Sequence, residues 1–228
     1  MSTSHNFDPS YFDQAYGDYD RSTPDRKVRA YADFVRRFVP TGRLLEVGCA
    51  YGMFASAFAR DHEVIATDLS SEVIASARKR FGHSHLEFRA GDVRSLDLPR
   101  DDFDAVVALD VLEHLPDLDD YLTHLITLLR PGGFLFVSVP VYDGPLGPLV
   151  RLLDRDPTHI HKWPRHAWRA RLGRAPLRVV DELGMIRYPL GPLYLFTSGR
   201  RLARISPALL FACQRKDPRG NAPTRRNL

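Results

Sequence analysis

Residues 44–55 read LLEVGCAYGMFA. An apolar run through Val47 breaks on Gly48, a second glycine follows at Gly52, and the helix-forming MFASAFA comes straight after. Strand, glycine turn and helix in that order let backbone amides approach a ligand closely, and the helix N-terminus adds positive potential. The dinucleotide template G-x-G-x-x-G, started at Gly48, requires glycine at positions 50 and 53, where this chain has Ala50 and Met53. What fits is acid-x-Gly-x-x-x-Gly, carried by Glu46, Gly48 and Gly52.

Outward from this turn, short apolar runs alternate with helical stretches. Strands are expected at Leu44–Val47, Val64–Thr67, His85–Arg89, Ala105–Leu109 and Phe134–Val139. Helices are expected over MFASAFARD, over SEVIASARKRF with Ser70 as N-cap, and over LDDYLTHLITLL, where Leu118, Tyr121, Leu122, Leu125 and Leu129 share one face. RPGG at 130–133 then stops the last helix and turns into the next strand. The expected fold is α/β: a doubly wound, mostly parallel seven-stranded sheet with helices on both faces, closed by an antiparallel C-terminal hairpin of GMIRYPLG and ALLFACQRK. A single domain follows. Residues 1–40 form an aromatic segment and an amphipathic helix that could act as a lid, and 41–140 form the ligand-binding core. Residues 141–175 form an insertion on the substrate side, leading into a helix over about Arg165–Leu183; 176–216 close the sheet, and 217–228 are a disordered tail.

At 228 residues the chain can bury one core, and no apolar run reaches membrane-spanning length. The N-terminus lacks the basic start and apolar run of a secretory signal, so a cytoplasmic location is expected. Cys49 and Cys213 have no metal-ligand spacing and suit a reducing compartment. Residues 1–150 carry 15 basic and 23 acidic side chains, and residues 151–228 carry 17 basic and 5 acidic. The cationic last third would suit an anionic substrate, an acidic lipid surface or nucleic acid, and equally a solvated arginine-rich exterior.

The chain resembles the class I S-adenosylmethionine-dependent methyltransferases, most strongly over 43–140 and in their small-molecule, ubiquinone-type O-methyltransferase branch. The motifs come in family order. The resemblance implies S-adenosylmethionine as cofactor. Glu46, Gly48, Ala50 and Gly52 match the loop that holds its methionine portion and ribose. Asp68, ending VIATDLS with Leu69 beside it, matches the acid that accepts hydrogen bonds from both ribose hydroxyls. Asp92 in AGDVRSLDLP would bind the adenine amino group, with Val93 against the ring. Leu109 and Asp110 in FDAVVALDVLEHLPD would close around the methionine end. From the N-terminal segment, Tyr16 and Tyr19 could cover the sulfonium, and Arg26 or Arg29 could pair with the cofactor carboxylate. The family's middle glycine is Ala50 here, which is tolerable if that residue keeps a negative φ.

Methyl transfer from a sulfonium needs alignment of nucleophile, methyl and sulfur, often with removal of one proton. Candidate bases are His114 in LEHL and His159 or His161 in DPTHIHKW, with His159 favoured by its match to the Thr-His segment of the ubiquinone-type enzymes. Asp156, His159 and His161 could ligate a metal, and Asp110 sits where catechol-type enzymes keep one ligand. The other carboxylates of that arrangement are not evident, so no metal is expected. GPLGPLVRLL could line an acceptor pocket or touch a membrane surface. The expected acceptor is a small molecule, anionic or lipid-linked, taking the methyl on oxygen or nitrogen. Two rivals stand beside this: a nucleic-acid methyltransferase, for which no Asn-Pro-Pro-Tyr or Pro-Cys segment is found, and a cofactor-binding subunit without turnover.

Overall fold

Side chains alternate along each strand and divide the apolar residues between two faces of one sheet. The computed structural model describes residues 23–217 apart from 83, 155, 175, 191 and 192. Its strands are β1 (Gly42–Val47), β2 (His62–Asp68), β3 (Leu86–Ala90), β4 (Phe103–Leu109), β5 (Leu129–Pro140), β6 (Leu177–Leu190), β7 (Leu193–Gly199) and β8 (Ala208–Arg215). The helices are α1 (Asp25–Arg36), α2 (Met53–Phe58), α3 (Ser71–Arg80), α4 (Leu118–Leu128), α5 (Gly147–Leu153) and α6 (Arg165–Leu172).

The sheet runs β3-β2-β1-β4-β5-β8-β6-β7. Strands β1 to β5 pair in parallel, and β8 enters antiparallel between β5 and β6. Leu44, Ala105, Phe136 and Leu210 face one core with α1, α2 and α3. Their neighbours Leu45, Val106, Leu135 and Leu209 face the other, against α4 and α6. Helix α1 seats itself through aromatic contacts: Tyr31 stacks on Phe54 at 5.2 Å between ring centres, and Phe34 meets Phe136 edge-on at 6.2 Å. Arg36 reaches across to Asp61 and to the Ala57 carbonyl, fixing the end of α1 to the end of α2.

The mostly parallel α/β sheet, closed by antiparallel strands, is as the sequence implies, but the count is eight rather than seven. The added edge strand, LYLFTSG, follows β6 in an antiparallel hairpin. The helix expected over Arg165–Leu183 stops at Leu172. Gly173 caps it, Pro176 follows, and the β-branched run after Leu177 pairs with β8 instead. Strand β5 is already extended at Leu129, so the RPGG segment lies within it. Tyr16, Tyr19 and the tail from 218 onward lie outside the described residues.

Ion pairs join the two halves of the charge distribution across the fold. Arg165 pairs with Asp143, Arg171 with Asp119, Arg187 with Asp110 and Arg215 with Asp101. Four of the 17 basic residues after position 150 are thus paired with carboxylates of the first 150.

Gly184 of β6 packs directly beneath the 3-10 turn at Arg200–Arg204: a Cβ there would stand 2.3 Å from the Ala203 nitrogen and 2.3 Å from the Leu202 carbonyl carbon. Backbone cannot rotate aside as a side chain can. Gly184→Ala is expected to destabilise the protein by about 1–3 kcal/mol, measured as a fall in the denaturant midpoint at unchanged m.

Candidate active site at the switch point of the sheet

Strand order reverses between β1 and β4, and ligands of open α/β sheets bind outside the carboxyl ends of strands at such a point. The loop after β1 folds over that edge. Gly48 and Cys49 donate to the Thr67 carbonyl at 2.8 and 2.9 Å, and Gly52 donates to the Cys49 carbonyl at 2.9 Å. Gly48 (φ 72°) and Gly52 (φ 81°) are both left-handed, and a Cβ would meet Val111 at 2.4 Å or Phe88 at 2.7 Å. No other residue fits either place.

Ala50 departs from expectation: its φ is 45°, in the left-handed region. The turn needs this so that the Ala50 N–H can face Asp68, to which it donates at 3.0 Å. Ser70 N–H donates to the other oxygen of Asp68 at 3.1 Å. Asp68 is buried at the end of β2, and burial raises its pKa against the help of those amides. Glu46, beneath the loop, is buried too. Burial first and Asp68 second push its carboxyl well above the usual range.

Asp92, after β3, accepts from the Tyr121 hydroxyl at 2.9 Å and from Arg94 at 2.6 Å. Burial opposes its charge, but Arg94 and Tyr121 prevail and hold it below the ordinary carboxylate range. Arg94 lies over the Tyr121 ring at 4.0 Å. Val93 and Leu109 are buried beside these acids, and Leu69 is exposed. At the end of β4, Asp110 adopts φ 56° and accepts from Ser138 at 2.7 Å and from Arg187 at 3.0 Å. Burial works against its charge as well, yet Arg187 and Lys27 hold its carboxyl far below the usual value.

Arg26 and Arg29 of α1 are exposed, so neither points into this edge. The inward cation is Lys27, 7% exposed, its Nζ lying 5.8 Å from the Phe54 ring centre and 5.9 Å from that of Tyr31. It makes no ion pair among the described residues. Burial, then the positive charge of Arg187, lowers its pKa to about 8. Helical phase would have found it, since Lys27, Tyr31 and Phe34 recur on the buried stripe of α1.

Two of the three histidines come together. His114, on the 3-10 turn Leu112–His114, and His159 lie 4.7 Å apart between ring centres. The Glu113 carbonyl accepts from Ile160 and His161 N–H, both at 3.1 Å, which clamps the 158–161 segment over the turn. His114 Nδ1 meets the Thr158 hydroxyl at 2.8 Å, and His159 Nδ1 meets Asp154 at 2.9 Å. Burial and the nearby His159 lower the pKa of His114 to about 4, so it is neutral. Asp154 also takes the Tyr142 hydroxyl at 2.5 Å and Lys162 at 2.8 Å. His161 stands apart, its Nε2 2.7 Å from the Leu115 carbonyl and its ring 4.5 Å from Trp163. Sequence reading missed Lys27, Glu113, Tyr121, Asp154 and Arg187.

A family model described as a methyltransferase domain matches residues 19–182. This chain belongs to the class I S-adenosylmethionine-dependent methyltransferase family. It is 34% identical over 152 residues to a ubiquinone biosynthesis O-methyltransferase of Xanthomonas campestris, covering 60% of this chain and 64% of that one. It is 40% identical over 108 residues to a fatty-acid O-methyltransferase of Mycolicibacterium smegmatis, covering 45% and 39%. The matches thus span about two fifths to just under two thirds of those relatives' lengths. In fold it is similar to the 1,6-didemethyltoxoflavin-N1-methyltransferase of Burkholderia thailandensis, solved with S-adenosylhomocysteine: TM-score 0.63, 24% identity, covering 91% of this chain and 84% of that one. No helix among the described residues is long and apolar enough to cross a membrane.

The family's cofactor is S-adenosylmethionine, and the edge fits it: a buried carboxylate framed by amides, glycines where any Cβ would clash, and a buried ammonium that makes no ion pair among the described residues.

Replacing Ala50 by glycine relieves the left-handed strain, about 1–2 kcal/mol, at a chain-entropy cost of about 0.5–1 kcal/mol. Ala50→Gly is therefore expected to raise stability by about 0.5–1 kcal/mol, read as an increase in the urea midpoint.

Proposed function

We propose that this protein transfers the methyl group of S-adenosylmethionine to an oxygen of a small-molecule acceptor. The observation that carries the reading is that the Asp68 cradle and the His114–His159 pair stand at the carboxyl edge of the same sheet. The O-methyltransferase relatives support oxygen. In the resemblance the ribose falls to Asp68, the adenine to Asp92 and Val93 with Leu69 flanking, and the methionine end to Gly48, Ala50, Gly52, Leu109 and Asp110. Glu46 supports the loop from below. Lys27, rather than Arg26, is the group for the cofactor carboxylate, because it alone of the α1 cations is buried at this edge.

When bound, the cofactor supplies an electrophilic methyl on a sulfonium. The protein's share is placement and proton handling. Asp154 holds the Nδ1 proton of His159, which leaves Nε2 as the atom that can take a proton from the acceptor hydroxyl. Lys162 balances the charge of Asp154 in turn, and the Tyr142 hydroxyl donates to it. The rim beside this corner exposes Leu149, Leu152, Leu153 and Ile160 near Arg151, which suits an acceptor with an apolar tail and an anionic group.

Each side of the cradle gives a measurement. Asp68→Ala removes acceptors for two hydroxyls, and S-adenosylhomocysteine affinity is expected to fall at least about 30-fold by calorimetry, while the unliganded protein still melts cooperatively. Labelled methyl should pass to hydroxylated or carboxylated small molecules; label found on RNA instead, or tight binding without transfer to anything, would refute the reading.

A Lys27 with pKa near 8 is charged below that value and loses its proton above it, whereas binding a carboxylate favours the charged form. Arg187 and Asp110 face the same ammonium with opposite effects. S-adenosylhomocysteine affinity should therefore decline as pH rises through about 8, more steeply than in Lys27→Met, where only the ligand's own amine titrates.

A further inference from the structure

Glu113 is 1% exposed, and neither of its carboxylate oxygens has a hydrogen-bond partner among the described residues. Burying a carboxylate without partners costs several kcal/mol, a cost that a bound cation would offset. What stands opposite are imidazoles. One ligand atom each of Glu113, His114 and His159 lies within 4.8 Å of the others.

The surrounding hydrogen bonds decide what those rings present. The Thr158 hydroxyl donates to Asp156 at 2.5 Å, so its oxygen accepts from His114, whose Nδ1 must carry the proton. Asp154, which also meets Lys162 at 2.8 Å and the Tyr142 hydroxyl at 2.5 Å, faces His159 Nδ1 at 2.9 Å, so that nitrogen carries a proton as well. Both rings then carry their lone pair on Nε2, which in His159 also lies 3.8 Å from an Asp156 oxygen. A histidine whose Nδ1–H is held by a carboxylate or hydroxyl is the usual supporting arrangement around a metal.

We propose that Glu113, His114 and His159 bind one divalent zinc ion, through a carboxylate oxygen and two Nε2 atoms. Two imidazoles and one carboxylate suit zinc rather than magnesium or calcium, which prefer all-oxygen sites. Ligand atoms around tetrahedral zinc stand about 3.4 Å apart, so the cluster closes by roughly an ångström when the ion enters. Three protein ligands leave a fourth position open to water or to the acceptor's oxygen. The set differs from Asp156, His159 and His161, the grouping the sequence suggested, because His161 is turned away onto Leu115. With zinc in place, Nε2 of His159 is a ligand rather than a proton acceptor, and the ion itself acidifies a bound hydroxyl.

The inference shares this corner with the proposed methyl transfer but does not rest on it. The full chain, stripped with chelator, is titrated with Zn²⁺ alone against a chromophoric competitor. One equivalent should bind with submicromolar Kd. Cobalt substituted for zinc should give the visible absorption of a four- or five-coordinate nitrogen and oxygen site, a signature that needs no variant. Glu113→Gln and His159→Gln should each weaken zinc binding at least 100-fold, and Asp154→Asn about 10–100-fold, with S-adenosylhomocysteine binding retained as proof of fold. Absence of stoichiometric binding, or zinc held equally by both ligand variants, would overturn the proposal. Zinc binding without S-adenosylhomocysteine binding would instead sink the methyltransferase reading and leave the metal site standing.

Discussion

Two amides from different segments, Ala50 N–H and Ser70 N–H, close on one buried carboxylate, and the carboxyl edge of the sheet depends on that grip. Asp68 thereby ties the loop after β1 to the start of α3. The tie is expensive for the chain, since it buries a charge and forces an alanine to a positive φ. A carboxylate so fixed presents its remaining lone pairs in set directions.

The neighbouring acids are held in the same manner by other partners. Asp92 leans on Arg94 and Tyr121, Asp110 on Ser138 and Arg187, and Asp154 on Tyr142 and Lys162. Glu113 alone among these carboxylates lacks such a partner in the described residues, and it is the one that faces two histidines. Contrast within one small region, rather than any absolute value, sets it apart.

Local pattern carried most of the fold. The apolar runs of β1, β2, β4 and β5 are buried on both faces and read directly, and Ser70 caps α3 through the bond expected of it, Val73 N–H to its hydroxyl at 3.3 Å. Asp68, Asp92 and Asp110 were legible as candidates because each lies at or just past the end of a strand. Lys27, Tyr121, Asp154 and Arg187 were not, for their roles come from packing between distant segments: Arg187 meets Asp110 across 77 positions of sequence. Ala50 misled because a residue type reports what backbone it prefers, whereas here the geometry of Asp68 dictates what it must adopt. The helix expected past Leu172 failed for a related reason, as pairing with β8 overrode the local apolar spacing.

The antiparallel strand β8 fits between β5 and β6, joining Phe134 to Gln214 and Pro140 to Ala208. Such pairing closes a loop of many tens of residues, which makes it slow to form. During synthesis the apolar border of β5 must therefore wait, exposed, until residues 208–215 have left the ribosome. An unsatisfied row of amides and carbonyls invites pairing with a neighbouring nascent chain. The edge left open longest during folding thus lies at the centre of the finished sheet and not at its rim.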